Sequence, residues 1–264
     1  MNATRLILFS GFLFFTLAIH AVSPKIIAHR GYWKTDGSAQ NSIRSLVKAD
    51  SIGCYASEFD VWMTSDSVLV INHDRDINGV VIETSPSEII LSQSLKNGEK
   101  VPTLEEFLSM AENLNIRLIF ELKVHDSRGR EKEALRKSLE MVNKHGLQNR
   151  VDYITFSKDA YENFINTVPQ NTDVYYLEGD YIPLQIKETG GRGIDYSLRT
   201  LKKNPEWINE CHDLGLMVNV WTVDKPEDMK WCIDHNVDFI TTNEPLLLQQ
   251  LISKEKKSMY MTIH

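Results

Sequence analysis

The sequence predicts an α/β protein built as one TIM-type (β/α)8 barrel, with an insertion between strand 2 and helix 2. Three observations carry that expectation. Short apolar runs alternate with longer helix-like segments eight times from Lys25 onward. A chain of 264 residues suits a barrel domain of about 200–250 residues with a short extension. No Pro/Ser-rich linker or low-complexity tract divides it. A doubly wound open sheet shares the same alternation, and strand count alone leaves it open.

The first 21 residues read as an address. Arg5 is followed by an almost unbroken apolar run, Leu6 to Ile19, and then by small residues before Pro24. That is the profile of a secretory signal peptide, with cleavage expected after Ala21. The run is shorter than the ~20 residues a membrane-spanning helix needs. The expected result is an exported domain, residues 22–264, periplasmic or extracellular, with no stable membrane insertion after the signal is removed. Its first strand is expected at Ile26–His29 and its first helix at Asn41–Ser51. The second strand is Tyr55–Val61. A stretch of about forty residues then interrupts the rhythm, with Val68–Asn72 as an extra strand followed by a polar tract from Asp74 to Lys100. Such insertions usually lie over the C-terminal face of a barrel, where active sites sit.

The alternation resumes at a helix, Thr103–Asn113, whose Thr103 and Glu106 form a capping-box pattern. Strand Arg117–Leu122 precedes helix Gly129–His145, which His145-Gly146 should end. Next come Val151–Phe156 with helix Lys158–Val168, Asp173–Leu177 with helix Ile182–Glu188, and Gly193–Tyr196 with helix Pro205–Leu214. The last units are Leu216–Trp221 with helix Pro226–His235, and Val237–Thr241 with helix Pro245–Ser253. Pro205, Pro226 and Pro245 are expected in first turns, where a missing N–H costs nothing.

Composition narrows the function. Hydrophobic residues at 42% and charged residues at 25% exclude wholesale disorder and a polytopic membrane protein. The formal charge of −7 becomes −8 once Arg5 leaves with the signal. So acidic a chain lacks the counterion-release drive toward a polyphosphate, and no nucleic-acid partner is expected. Cys54, Cys211 and Cys232 are too few and scattered for a disulfide scaffold or a zinc knuckle.

The chemistry concentrates at strand ends. Glu58 and Asp60 are two residues apart on a strand and therefore share a face. Near the end of a buried strand, two unpaired carboxylates repel each other, and a divalent cation removes that penalty. Oxygen-only ligands suit Mg2+ or Ca2+ better than zinc. Glu121 and Lys123 repeat the spacing on the next strand. Glu121 could be a third ligand and Lys123 a point charge for an anionic substrate, although alone the two make an ordinary ion pair. His29 and His73 each end a strand-like run and form a candidate acid and base pair. Arg30 offers a fork for phosphate, and Gly31 permits close backbone approach. His145, His212 and His235 fall on expected helices and read as surface groups. His125, in a loop, is a weak candidate.

These residues recur in one order: His29-Arg30-Gly31, Asn41, Glu58-x-Asp60, Thr64 with Asp66, His73-Asp74, Val101-Pro102-Thr103-Leu104-Glu105-Glu106, Glu121-x-Lys123, Trp221-Thr222-Val223, and the run Val237 to Pro245. That order resembles the glycerophosphodiester phosphodiesterase family over nearly the whole expected domain. The resemblance implies a TIM barrel with one divalent metal on Glu58, Asp60 and Glu121. It further implies acid–base work by His29 and His73, phosphate contact from Arg30 and Lys123, and hydrolysis of a small phosphodiester to glycerol phosphate and an alcohol. It also suggests attack by the substrate's own adjacent hydroxyl through a cyclic phosphate. Trp221 would then be an apolar wall for the glycerol carbons, or else a core residue. Two positions depart from the family pattern. Gln40 stands where a glutamate is frequent, and Asn243 where an aspartate is common. A related barrel phospholipase acting on intact phospholipid is the alternative. A glycosidase is excluded, because carboxylates at i and i+2 lie too close for opposed roles. The alcohol preference and the oligomeric state are left open.

Overall fold

A computed structural model describes residues 23–262; the signal expected over residues 1–21 lies outside them. Eight parallel strands close a barrel: β1 (Lys25–Ala28), β2 (Ala56–Met63), β6 (Arg117–Leu122), β7 (Val151–Thr155), β8 (Val174–Tyr176), β9 (Gly193–Ser197), β10 (Met217–Trp221) and β11 (Phe239–Thr242). Parallel pairing of β1 with both β2 and β11 completes the ring, which settles the open-sheet alternative in favour of the barrel. The helices that follow the strands are α1 (Ile43–Ser51), α3 (Leu104–Ala111), α4 (Arg128–Lys144), α5 (Lys158–Thr167), α6 (Pro183–Thr189), α8 (Glu206–Asp213), α9 (Pro226–Asp234) and α10 (Pro245–Thr262).

Local chemistry starts these helices. Ser42, Ser127 and Ser157 each accept a backbone N–H three residues on, and Thr103 and Glu106 form the expected capping box. Pro226 lies in the first turn of α9 as expected. Pro205 does not lie in a first turn. It occupies the N-cap of α8, because a short helix absent from the sequence reading, α7 (Leu198–Lys203), ends just before it.

Every residue of β2 is buried, since helices cover one face and the barrel interior the other. The outer face carries an aromatic seam: Phe59 lies 4.5 Å from Phe107 and 5.2 Å from Phe120, and Tyr153 stacks on Phe164 at 4.6 Å. The inner face is lined by Ile27, Ala56, Ile119, Ile154, Tyr175 and Phe239. An apolar floor and a rigid aromatic wall thus bracket the strands that carry the acidic side chains.

The insertion is more ordered than its polar composition suggests. β3 (Leu69–Ile71) runs antiparallel to β2, as the expected extra strand. The tract from Asp74 to Lys100 then holds a two-stranded ribbon, β4 (Asp76–Ile77) and β5 (Val80–Val81), and helix α2 (Ser87–Ser92). Trp62, Val70, Ile77, Ile82, Ile90 and Val101 give it a core of its own. Beyond β3 its apolar residues fall in runs of two or three, Val80-Val81-Ile82 and Ile89-Ile90-Leu91, too short to show a period.

Candidate active site

The parallel register sets Asp60 beside Glu121, with Glu58 two residues below on the same inward face. Glu58, Asp60 and Glu121 each bring a carboxylate oxygen within 4.8 Å of the other two, and all three are buried. Two like charges ~5 Å apart repel by ~3 kcal/mol at an effective dielectric of ~20, so the cluster must be neutralised. Part of that comes from Lys123, whose Nζ lies 3.1 Å from Asp60 and 2.6 Å from Glu121. Arg30 adds its Nε at 3.7 Å from Asp60. Neutralisation remains incomplete: burial and then the neighbouring carboxylates push Glu58 well above the usual carboxylate range, and Glu121 up to about 8. Burial opposes charge on Asp60 too, but Lys123, His73, Arg30 and Asn41 together outweigh it and hold its carboxyl low. Glu58 Oε1 is buried without a hydrogen-bond partner among the described residues. An orphaned carboxylate oxygen within an all-oxygen triad fits a hard divalent cation.

The loop after β1 supplies the next group. Arg30 and Gly31 both adopt left-handed backbone, at φ of 58° and 76°. That turn aims the Arg30 N–H at Glu58 Oε2, at 2.7 Å. A Cβ on Gly31 would meet Ser45 Oγ at 2.3 Å, so only glycine fits against α1. Asn41, also left-handed, clamps Asp60: its Nδ2 donates to Oδ2 at 2.8 Å, and its Oδ1 accepts the Asp60 N–H at 3.3 Å. That clamp went unassigned from sequence, where Asn41 figured only as part of the family pattern.

His29 follows β1 with its Nε2 3.9 Å from Glu58 Oε2. Burial first, then the Arg30 charge, lowers its pKa to about 4. His73 follows β3 with Nδ1 2.7 Å from Asp74 Oδ1. Its pKa is lowered as well, chiefly by burial, against the opposing pull of Asp60. Beside His73 a cleft of about 380 Å3 opens between the β1–α1 loop and the insertion, lined by Trp33, Gln40, Asn72, Asp74, Asn78 and Lys96.

The other expectations divide. Gln40 accepts from the Arg30 guanidinium at 2.6 Å, so the departure keeps a partner for that arginine without adding charge. Arg30 and Lys123 face the carboxylates rather than standing free for a phosphate alone. Trp221 ends β10 half-buried; its indole N–H donates to the Asp195 carbonyl at 2.9 Å, and its ring meets Phe156 edge-on at 5.6 Å. His125 is a buried structural residue, held by the Lys123 carbonyl at 2.7 Å and the Met63 N–H at 3.2 Å. His145 is not a surface group: its side chain is 7% exposed and sits between Glu105 and Glu112. The helix predicted there has α3 packed against it, and the two acids draw the ring inward.

Comparison with known proteins finds a matching family and relatives over most of the chain. The profile of the "Glycerophosphoryl diester phosphodiesterase family" matches residues 29–247. The crystal structure of a glycerophosphodiester phosphodiesterase from Parabacteroides distasonis superposes with a TM-score of 0.87 at 49% identity, over 89% of this chain and 98% of that one. A glycerophosphodiester phosphodiesterase of Caldanaerobacter subterraneus is 28% identical across 87% of this chain and 98% of its own. One from Bacillus subtilis is 27% identical across 85% of each chain.

Proposed function

The chain belongs to the glycerophosphoryl diester phosphodiesterase family and hydrolyses glycerophosphodiesters to glycerol phosphate and an alcohol, and we propose that the residues at the barrel mouth divide the work as follows. Glu58, Asp60 and Glu121 hold one divalent cation, Mg2+ or Ca2+. The observation that carries this reading is the buried triad within 4.8 Å with its unpartnered Glu58 oxygen. When bound, the cation supplies positive charge against the non-bridging phosphate oxygens. Arg30 and Lys123, already held at the cluster, add fixed cationic charge where negative charge grows in the transition state. His29, kept neutral by burial, takes the proton of the attacking hydroxyl at Nε2. His73, at the rim of the cleft proposed to receive the alcohol, returns a proton to the leaving oxygen, and water then adds to the resulting cyclic phosphate, breaking one ring P–O bond to give glycerol phosphate. The Phe156–Trp221 pair forms an apolar side wall for the glycerol carbons.

The test is product analysis with glycerophosphocholine, glycerophosphoethanolamine and glycerophosphoinositol, with and without chelator. Release of glycerol phosphate that stops on chelation and returns with Mg2+ or Ca2+ is expected. Undiminished turnover in metal-stripped enzyme would refute the role of the triad. An intact phospholipid is assayed beside them, and faster turnover of it than of all three diesters would favour the phospholipase alternative. Residues 1–21 are proposed to direct export, on the strength of Arg5 and the apolar run Leu6–Ile19. Mass spectrometry of the native protein should find a terminus near Val22, and an intact Met1 would refute it.

A further inference from the structure

We propose that Asp224 is a positioning residue for His29, acting through Asn243 to hold the histidine in its Nδ1–H tautomer. The inference rests on the reading of His29 as the proton acceptor. Asn243 Oδ1 lies 2.9 Å from His29 Nδ1 and 2.9 Å from Trp33 Nε1. The Asn243 Nδ2 donates to Asp224 Oδ2 at 2.8 Å. The other carboxylate oxygen accepts the Asn243 backbone N–H at 2.8 Å and the Thr242 hydroxyl at 3.2 Å.

Donor and acceptor chemistry leaves one arrangement. An ionised carboxylate only accepts, so Asn243 must turn its NH2 toward Asp224. An indole N–H only donates, so the oxygen of the same amide must face Trp33. Two independent partners thus fix an amide orientation that heavy-atom positions alone leave ambiguous. With Oδ1 facing it as an acceptor, His29 Nδ1 must carry the proton, and the Nε2 lone pair is left toward Glu58 and the site. Asp224 never touches the histidine. It stands in the loop after β10, one hydrogen bond behind a residue that follows β11, and it sets the polarity of the whole line. The aspartate that the family pattern expects at position 243 is in effect displaced to 224, with an amide inserted between carboxylate and imidazole.

Two variants and their combination test this. Asp224→Asn keeps the shape but adds a competing donor, so the Asn243 amide loses its reason to point one way. It should lower kcat by about 10–100-fold, in the range found for groups that orient a ligand or catalytic histidine, with KM within about twofold and an unchanged melting temperature. Asn243→Asp alone sets two carboxylates face to face and should also fail. The exchange Asp224→Asn/Asn243→Asp places an acceptor against His29 again and a donor behind it, and should recover most of kcat. Nitrogen-15 NMR of the metal-free protein should report His29 as Nδ1–H in the wild type and the exchange variant, and a mixed or reversed tautomer in Asp224→Asn. Wild-type kcat in Asp224→Asn, a lost kcat with the wild-type tautomer retained, or an exchange variant no better than the single changes would each overturn the proposal. The NMR readout needs no turnover. If His29→Ala stayed active, the catalytic reading would fall while the tautomer result still decided the relay.

Discussion

His29 and His73 carry the same ring in different settings, and the proposed division of their work rests on that difference. Burial depresses His29 to about 4 against the pull of its amide partner Asn243, whereas His73, also lowered by burial, meets the Asp74 carboxylate at the cleft edge. A positioned acid or base contributes ~10²–10⁴-fold, so His29→Ala and His73→Ala should each reduce kcat by at least ~100-fold. With a nitrophenyl leaving group, which needs no protonation, the loss in His73→Ala should shrink and that in His29→Ala should not. Equal relief in both variants would show the two roles misassigned. His145→Ala should leave kcat unchanged yet lower the melting temperature, because Glu105 and Glu112 lose a shared partner. At this scale the sequence was most legible where spacing does the work. Carboxylates at i and i+2 must share a strand face, so Glu58 and Asp60 could be read directly. Asp224 could not, because its partner Asn243 becomes adjacent only when β10 and β11 pair.

The β2–β6 pair stores electrostatic tension. Glu121, raised to about 8, keeps its proton at neutral pH in the metal-free cluster, and Glu58 is raised as well. A cation held by the triad as proposed must displace protons, so its affinity should climb as pH rises through neutrality toward 8. Calorimetry in buffers of different ionisation enthalpy checks the proton release, and a pH-independent affinity would contradict it. The sign for stability follows from linkage. A carboxyl raised in the folded state binds more protons than its unfolded counterpart, so the metal-free protein should lose stability as pH rises from about 4.5 toward 8. Glu58→Gln keeps an acceptor for the Arg30 N–H but takes a carboxylate from the triad. It should leave the metal-free melting temperature at neutral pH close to that of the wild type and abolish the rise expected on adding metal. The barrel strands themselves were readable because burial on both faces makes them continuous apolar runs. The ribbon β4–β5 and helix α2 were not, since two-residue strands and a six-residue helix are too short to show a period.

For the molecule as a whole, barrel closure is the step on which the site depends. Both histidines, all three carboxylates and Lys123 come from the first half of the chain, on β2 and β6 and just after β1, β3 and β6. The fold class was legible because eight repeats and the overall size admit few architectures, whereas closure itself is a long-range pairing that no local pattern encodes. Lys25 to Ala28 meet Phe239 to Thr242 across the seam, and only that seam brings Asn243 to His29. A ribosome that has made the first half has therefore delivered nearly every reactive group and no working enzyme. Contacts between chain ends form slowly, because the loop must close before they are rewarded. During refolding in the presence of metal, hydrolysis should thus lag behind the recovery of helical circular dichroism, and a chain ending at Asn236 should bind no substrate productively. Turnover becomes a clock for the last strand, and a cell that follows it is timing the completion of a fold.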